Sequence, residues 1–138
     1  MTDLYAFLHP ETPENKEIYL SKRFKNASGE VVPFVIRPVT ADENDALLKS
    51  CRYIVKGKRG EEKRLDTTKY QRALIVKATV SPDFTNKELC DAYGVVDPGL
   101  CVARMLYAGE YQVLADEILK LSGLDEESSA EAEETAKN

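Results

Sequence analysis

The side chains able to do nucleophilic or acid–base chemistry are few and poorly spaced for it. Cys51, Cys90 and Cys101 stand far apart with no CxxC pair, and His9 is the only histidine. A zinc site takes about four Cys, His or carboxylate ligands at short recurring spacings. The cysteines therefore read as reduced, small apolar fillers of helix faces. Nucleophilic catalysis needs a base beside Ser or Cys, and the one imidazole lies in the proline-flanked stretch His9-Pro10. Gly57–Gly60 lacks the Gly-Lys-Ser/Thr ending that cradles phosphate, and no GxGxxG occurs. The acid pairs Asp42-Glu43 and Glu61-Glu62 fall in a first helical turn and a loop, where a helix dipole or water accounts for them. These residues offer no catalytic centre and no cofactor site.

Charge is the stronger signal. The 138 residues sum to −5, and all of that excess sits in residues 125–138, DEESSAEAEETAKN. Residues 49–72 hold nine basic groups against three acidic ones. Such a basic stretch could neutralise nucleic-acid phosphates. It lacks the interleaved aromatics of a single-strand platform, however, and glycine cuts the helix before it. An acidic protein segment, this chain's own tail included, would suit it as well. The terminal stretch has no large apolar groups and is expected to be disordered. No apolar run reaches membrane-spanning length and Met1–Leu8 lacks a signal-peptide pattern, so the cytoplasm is the expected compartment.

The chain is organised around Asp66–Pro82, DTTKYQRALIVKATVSP. Asp66, Thr67 and Thr68 offer helix caps, and Ser81-Pro82 closes the stretch. Between them Lys77 is the only charge among Ala73–Val80, as in a buried helix. The β-branched Ile75, Val76, Thr79 and Val80 also suit a buried strand. Upstream, Asp3–His9 could form two helical turns with Leu4, Phe7 and Leu8 on one side, docking on the body. Pro10 and Pro13 then make an extended connector. Residues 17–39 alternate around Asn26-Ala27-Ser28-Gly29, predicting a β-hairpin. Pro33 and Pro38 lack ladder donors, which makes the second strand an edge. That edge is a candidate for homo-oligomerisation by strand pairing; the alternative is a hairpin closed over its own helices.

Thr40–Glu43 is a capping box for a helix running to about Val55, followed by Lys56–Leu65 as a mobile basic loop. Thr85–Glu88 opens a short helix stopped by Gly94. Asp97-Pro98 opens another, and Glu110–Ser122 is the last, ending at Gly123. The fold class expected is α+β: an N-terminal β-hairpin followed by a mainly α-helical bundle of about five helices. Residues 1–124 form one domain, with the hairpin at about 17–39 and the helices at about 41–123.

The order of these features resembles the XkdN-like family of phage tail assembly chaperones. The resemblance rests on Ser21-Lys22-Arg23-Phe24, the Gly29 turn, Val32-Pro33-Phe34, Arg37 and Thr40–Glu43. It continues through Tyr70, Ser81-Pro82-Asp83, Leu89, Tyr93-Gly94-Val95, Met105-Leu106, Gly109-Glu110-Tyr111 and Leu121-Ser122-Gly123. It covers roughly residues 3–124. It implies a non-enzymatic cytoplasmic protein, absent from the finished particle. Such a protein holds the long helical tape measure protein soluble and helps tail tube subunits gather on it. A holdase needs accessible, adaptable apolar groups. Met105, Leu106, Tyr107, Tyr111 and Leu114 are the candidate partner-binding residues, with core packing as their alternative. A phage-derived nucleic-acid-binding or regulatory protein using residues 49–72 is the rival reading. No membrane is implied as a partner.

Overall fold

The computed structural model describes residues 3–125. In chain order the elements are α1 (Leu4–Leu8), β1 (Lys16–Ile18), β2 (Phe34–Ile36), α2 (Ala41–Ser50), β3 (Arg52–Gly57) and β4 (Gly60–Leu65). They continue with α3 (Thr67–Ala78), β5 (Thr79–Ser81), α4 (Lys87–Ala92), α5 (Pro98–Met105) and α6 (Ala108–Leu121). The class is α+β.

The central stretch is helix first and strand afterwards. Asp66 Oδ1 accepts from the Lys69 amide at 3.0 Å and caps α3, whose Leu74, Ile75 and Ala78 are buried. The Thr79 hydroxyl donates to the Ile75 carbonyl at 2.6 Å, closing the last turn. The β-branched pair Thr79-Val80 then suits an extended chain. β5 joins β2 through Val35↔Ser81 and Ile36↔Thr79, giving the sheet order β1-β2-β5.

This corrects the expected edge. β2 is the central strand, and its free side is taken by β5. Pro33 and Pro38 flank Phe34–Ile36 rather than lying within it, so their missing donors cost the ladder nothing. The hairpin turn is where expected. Asn26 Oδ1 accepts from the Ser28 and Glu30 amides at 3.0 Å each. The ladder is shorter than the alternation suggested, covering Lys16↔Ile36 to Ile18↔Phe34.

The helix capped by Thr40 ends at Ser50 rather than Val55, and Lys56–Leu65 is not a loop. β3 and β4 pair along their whole length, Arg52↔Leu65 to Gly57↔Gly60. Tyr53-Ile54-Val55 is strand-forming sequence. Gly60, at φ +108°, supplies backbone that a residue with a Cβ resists, so Lys58-Arg59 becomes a two-residue turn. The cap of α4 is Asn86, one residue later than expected, because Thr85 is held by Asp83 Oδ1. α6 begins at Ala108, since Glu110 reaches back to the Tyr107 amide at 2.8 Å. Asp97 and Pro98 start α5 as expected. Gly123, at φ +71°, lets the Leu124 amide reach the Leu119 carbonyl at 2.8 Å.

One core joins these elements: Phe34 and Ile36 of β2, Leu74 and Ile75 of α3, Phe84, Cys101 and Val102 of α5, and Leu114 and Ile118 of α6. α3 and α5 approach closely at Gly99, where a Cβ would lie 3.4 Å from Arg72 Cβ. The N-terminal helix does not dock as expected. Leu4, Tyr5, Phe7 and Leu8 are 58–81% exposed. The acidic tail expected to be disordered lies outside the described residues, Asp125 excepted.

Candidate partner-binding surfaces

Ridges of α5 and α6 bring the five sequence-derived residues to one junction, but not to one surface. Met105, Leu106 and Leu114 are buried in the core, Tyr111 is half-buried and Tyr107 is 70% exposed. The junction is fastened by a residue that chain order gives no reason to place there. Arg23, from the β1–β2 connection, donates Nε to Glu110 Oε2 at 2.9 Å and Nη2 to Glu110 Oε1 at 2.6 Å. Its Nη2 also reaches the Met105 carbonyl at 2.7 Å. The guanidinium lies 4.2 Å from the Phe24 ring centroid and 4.4 Å from that of Tyr107. Planar guanidinium suits a bidentate carboxylate and two aromatic faces together. The Arg23 hydrogen bonds hold the Glu110 carboxyl at about 2, well below the usual carboxylate range. Burial raises the Tyr111 phenol, opposed by Arg72.

A second surface was not singled out from the sequence. An open groove of about 490 Å³ runs between α2, α3 and the start of α5. Leu47, Ala73, Val76 and Pro98 give it an apolar floor, with Lys69, Arg72 and Lys77 among its walls. Its two acids, Asp66 and Asp97, are turned to helix starts, accepting from the Lys69 amide at 3.0 Å and the Leu100 amide at 3.2 Å. Arg72 Nε is buried with no hydrogen-bond partner among the described residues. An apolar floor between charged walls is the form that receives an amphipathic helix. The only sequence trace of it is that Ala73 and Val76 lie on the face of α3 opposite Leu74 and Ile75.

The basic stretch becomes an arm. Among the described residues β3 and β4 pair with each other and with no other strand. Tyr53 and Ile54 are about half exposed on it. Its cations are interleaved with acids: Lys56 lies opposite Glu61, and Arg64 Nη2 meets Glu62 at 3.3 Å. Among the described residues no three His, Cys, Asp or Glu side chains gather as metal ligands, and no helix is long and apolar enough to cross a membrane. Cys101 is buried, and desolvation raises its thiol to about 11.

Residues 4–137 match the family model for the phage XkdN-like tail assembly chaperone protein. The chain is 35% identical to the phage-like element PBSX protein XkdN of Bacillus subtilis strain 168, over 99% of this chain and 94% of that protein. It is 36% identical to YqbN of the same strain, over 99% and 93%. The crystal structure of YqbN is similar, with a TM-score of 0.74 and 31% identity over 91% of this chain and 99% of that one.

Proposed function

We propose a function from one premise: the chain belongs to the XkdN-like family of phage tail assembly chaperones. It binds the tape measure protein of a tailed phage or phage-like element, keeps it soluble and helps tail tube subunits gather on it. It works in the bacterial cytoplasm, without turnover of any small molecule and without a cofactor.

The observation that carries this reading is the groove between α2, α3 and α5, about 490 Å³ with an apolar floor. A tape measure is a long helical chain, and an amphipathic helix presents apolar groups at i, i+3, i+4 and i+7, the spacing such a groove accepts. The half-buried Tyr111 and exposed Tyr107 add aromatic surface at the α5–α6 junction. The frame beneath is firmly packed, so these surfaces are held on a fixed scaffold.

The test is co-expression with the long helical protein of the same phage element. The wild-type chain raises its soluble fraction, and Val76→Glu, which puts a charge on the groove floor, abolishes that rescue while retaining a native thermal transition. Rescue unaffected by Val76→Glu would move the client elsewhere, and no rescue by wild type would end the reading. The basic arm supports a second reading, nucleic-acid binding, through its net positive charge. That reading requires retention on DNA that weakens steeply with salt.

A further inference from the structure

Two apolar features lack a cover among the described residues, and they match one another. Leu4, Phe7 and Leu8 stand at i, i+3 and i+4 on α1, and are 58%, 81% and 63% exposed. A helix of five residues does not persist in water on its own hydrogen bonds; such short helices are held by docking. The groove between α2, α3 and α5 is open and apolar at its base. We propose that in the client-free protein α1 of a second copy fills this groove, exchanged reciprocally between two chains.

Charge agrees with the pairing. Residues 3–15 carry Asp3, Glu11 and Glu14 and no lysine or arginine. The groove wall presents Lys69, Arg72 and Lys77. Lys77 is already 3.7 Å from Glu43, while Arg72 Nε is buried and unpartnered among the described residues. The exposed ammonium groups of Lys69 and Lys77 are the ones a carboxylate of the docked segment can meet. The tether agrees as well. Residues 9–15 are exposed and free of helix or strand, and seven residues reach at most about 23–25 Å. Pro10 and Pro13 keep that tether extended, which disfavours folding back onto its own body and favours reaching a neighbour. Reciprocal exchange closes the assembly at two chains and covers both apolar surfaces in each.

The dimer keeps the groove occupied until a client helix displaces α1. The proposal rests on the groove being the client site, but it is measured without client. Failure of dimerisation therefore leaves tape-measure rescue untouched, and failure of rescue leaves the dimer standing.

The experiment is light scattering on the full chain across a concentration series. Wild type gives the mass of two chains. The double variant Leu4→Asp/Phe7→Asp is monomeric and keeps a native, cooperative thermal transition, since neither side chain is in the core. Val76→Glu is monomeric as well. Mixing the two variants restores a mixed dimer through one intact α1 and one intact groove, dissociating about tenfold or more readily than wild type. A monomeric wild type, a dimer that survives the α1 double variant, or variants that remain monomeric on mixing would each overturn it. If Val76→Glu does not fold, Ala73→Glu replaces it in the mixing arm.

Discussion

Replacing Arg23 by alanine should destabilise this protein far more than loss of an ordinary surface ion pair. Arg23 makes three hydrogen bonds, two to Glu110 and one to the Met105 carbonyl, and covers two aromatic rings. The Glu110 side chain is only 12% exposed, and that of Arg23 34%. Truncation leaves Glu110 with the Tyr107 amide and the Ser21 side chain as partners and removes the cation from both rings. Partly buried charge-assisted bonds together with the ring contacts are worth roughly 2–3 kcal/mol. An exposed pair contributes about 0–1 kcal/mol. For a domain of this size 1 kcal/mol moves Tm by about 3–4 °C, so the midpoint should fall by about 6–12 °C at pH 7.

The pH dependence gives an independent check on the same contact. Arg23 holds Glu110 at about 2 in the folded chain, below the ordinary 4.5. A carboxyl with a depressed folded value contributes stability that is present above about 4.5 and is lost as pH falls toward 2. The gap between wild type and Arg23→Ala should therefore be full at pH 6 and narrow steadily between about pH 4.5 and 2. Glu43, similarly held by Arg37, is common to both proteins and cancels. Thermal unfolding by circular dichroism across that range measures both effects. A shift under about 2 °C at pH 7, the size of a solvent-screened pair, would refute the assignment of Arg23 as the fastening between hairpin connection and α6. So would a gap that stays constant with pH.

Leu114→Ala, at a fully buried site, should cost about 2–5 kcal/mol and lower the urea midpoint, whereas a surface role for Leu114 predicts almost no change. Asp97→Ala removes the cap of α5 and should cost about 1 kcal/mol, read by the same urea titration. Cys51, Cys90 and Cys101 are all buried, so a thiol reagent should label none of them rapidly in the native chain and all three after unfolding. Rapid native labelling of Cys101 would contradict its raised thiol value.

Local chemistry determined much of this chain without reference to its neighbours. The caps at Thr40, Asp66 and Asp97, the Asn26–Gly29 turn and the left-handed Gly123 stop are decided by side chains within a few residues, and each is in place. The mixed α+β class follows from alternation in one part and helical spacing in another, and the order of those features already resembled the tail assembly chaperone family. Pairing was different. Tyr53-Ile54-Val55 reads as the end of a helix until β4 is opposite it, because a strand's hydrogen bonds lie in another segment. Likewise β2 became a central strand only because α3 ends where β5 can meet it. Whether an apolar side chain is core or contact surface was also undecidable along the chain. Met105 and Tyr107 are two residues apart, yet one is 7% and the other 70% exposed, since packing between helices, not residue type, sets the division. The groove belongs wholly to the tertiary structure: Leu47, Ala73 and Pro98 come from three helices, and no one of them marks a site in its own segment.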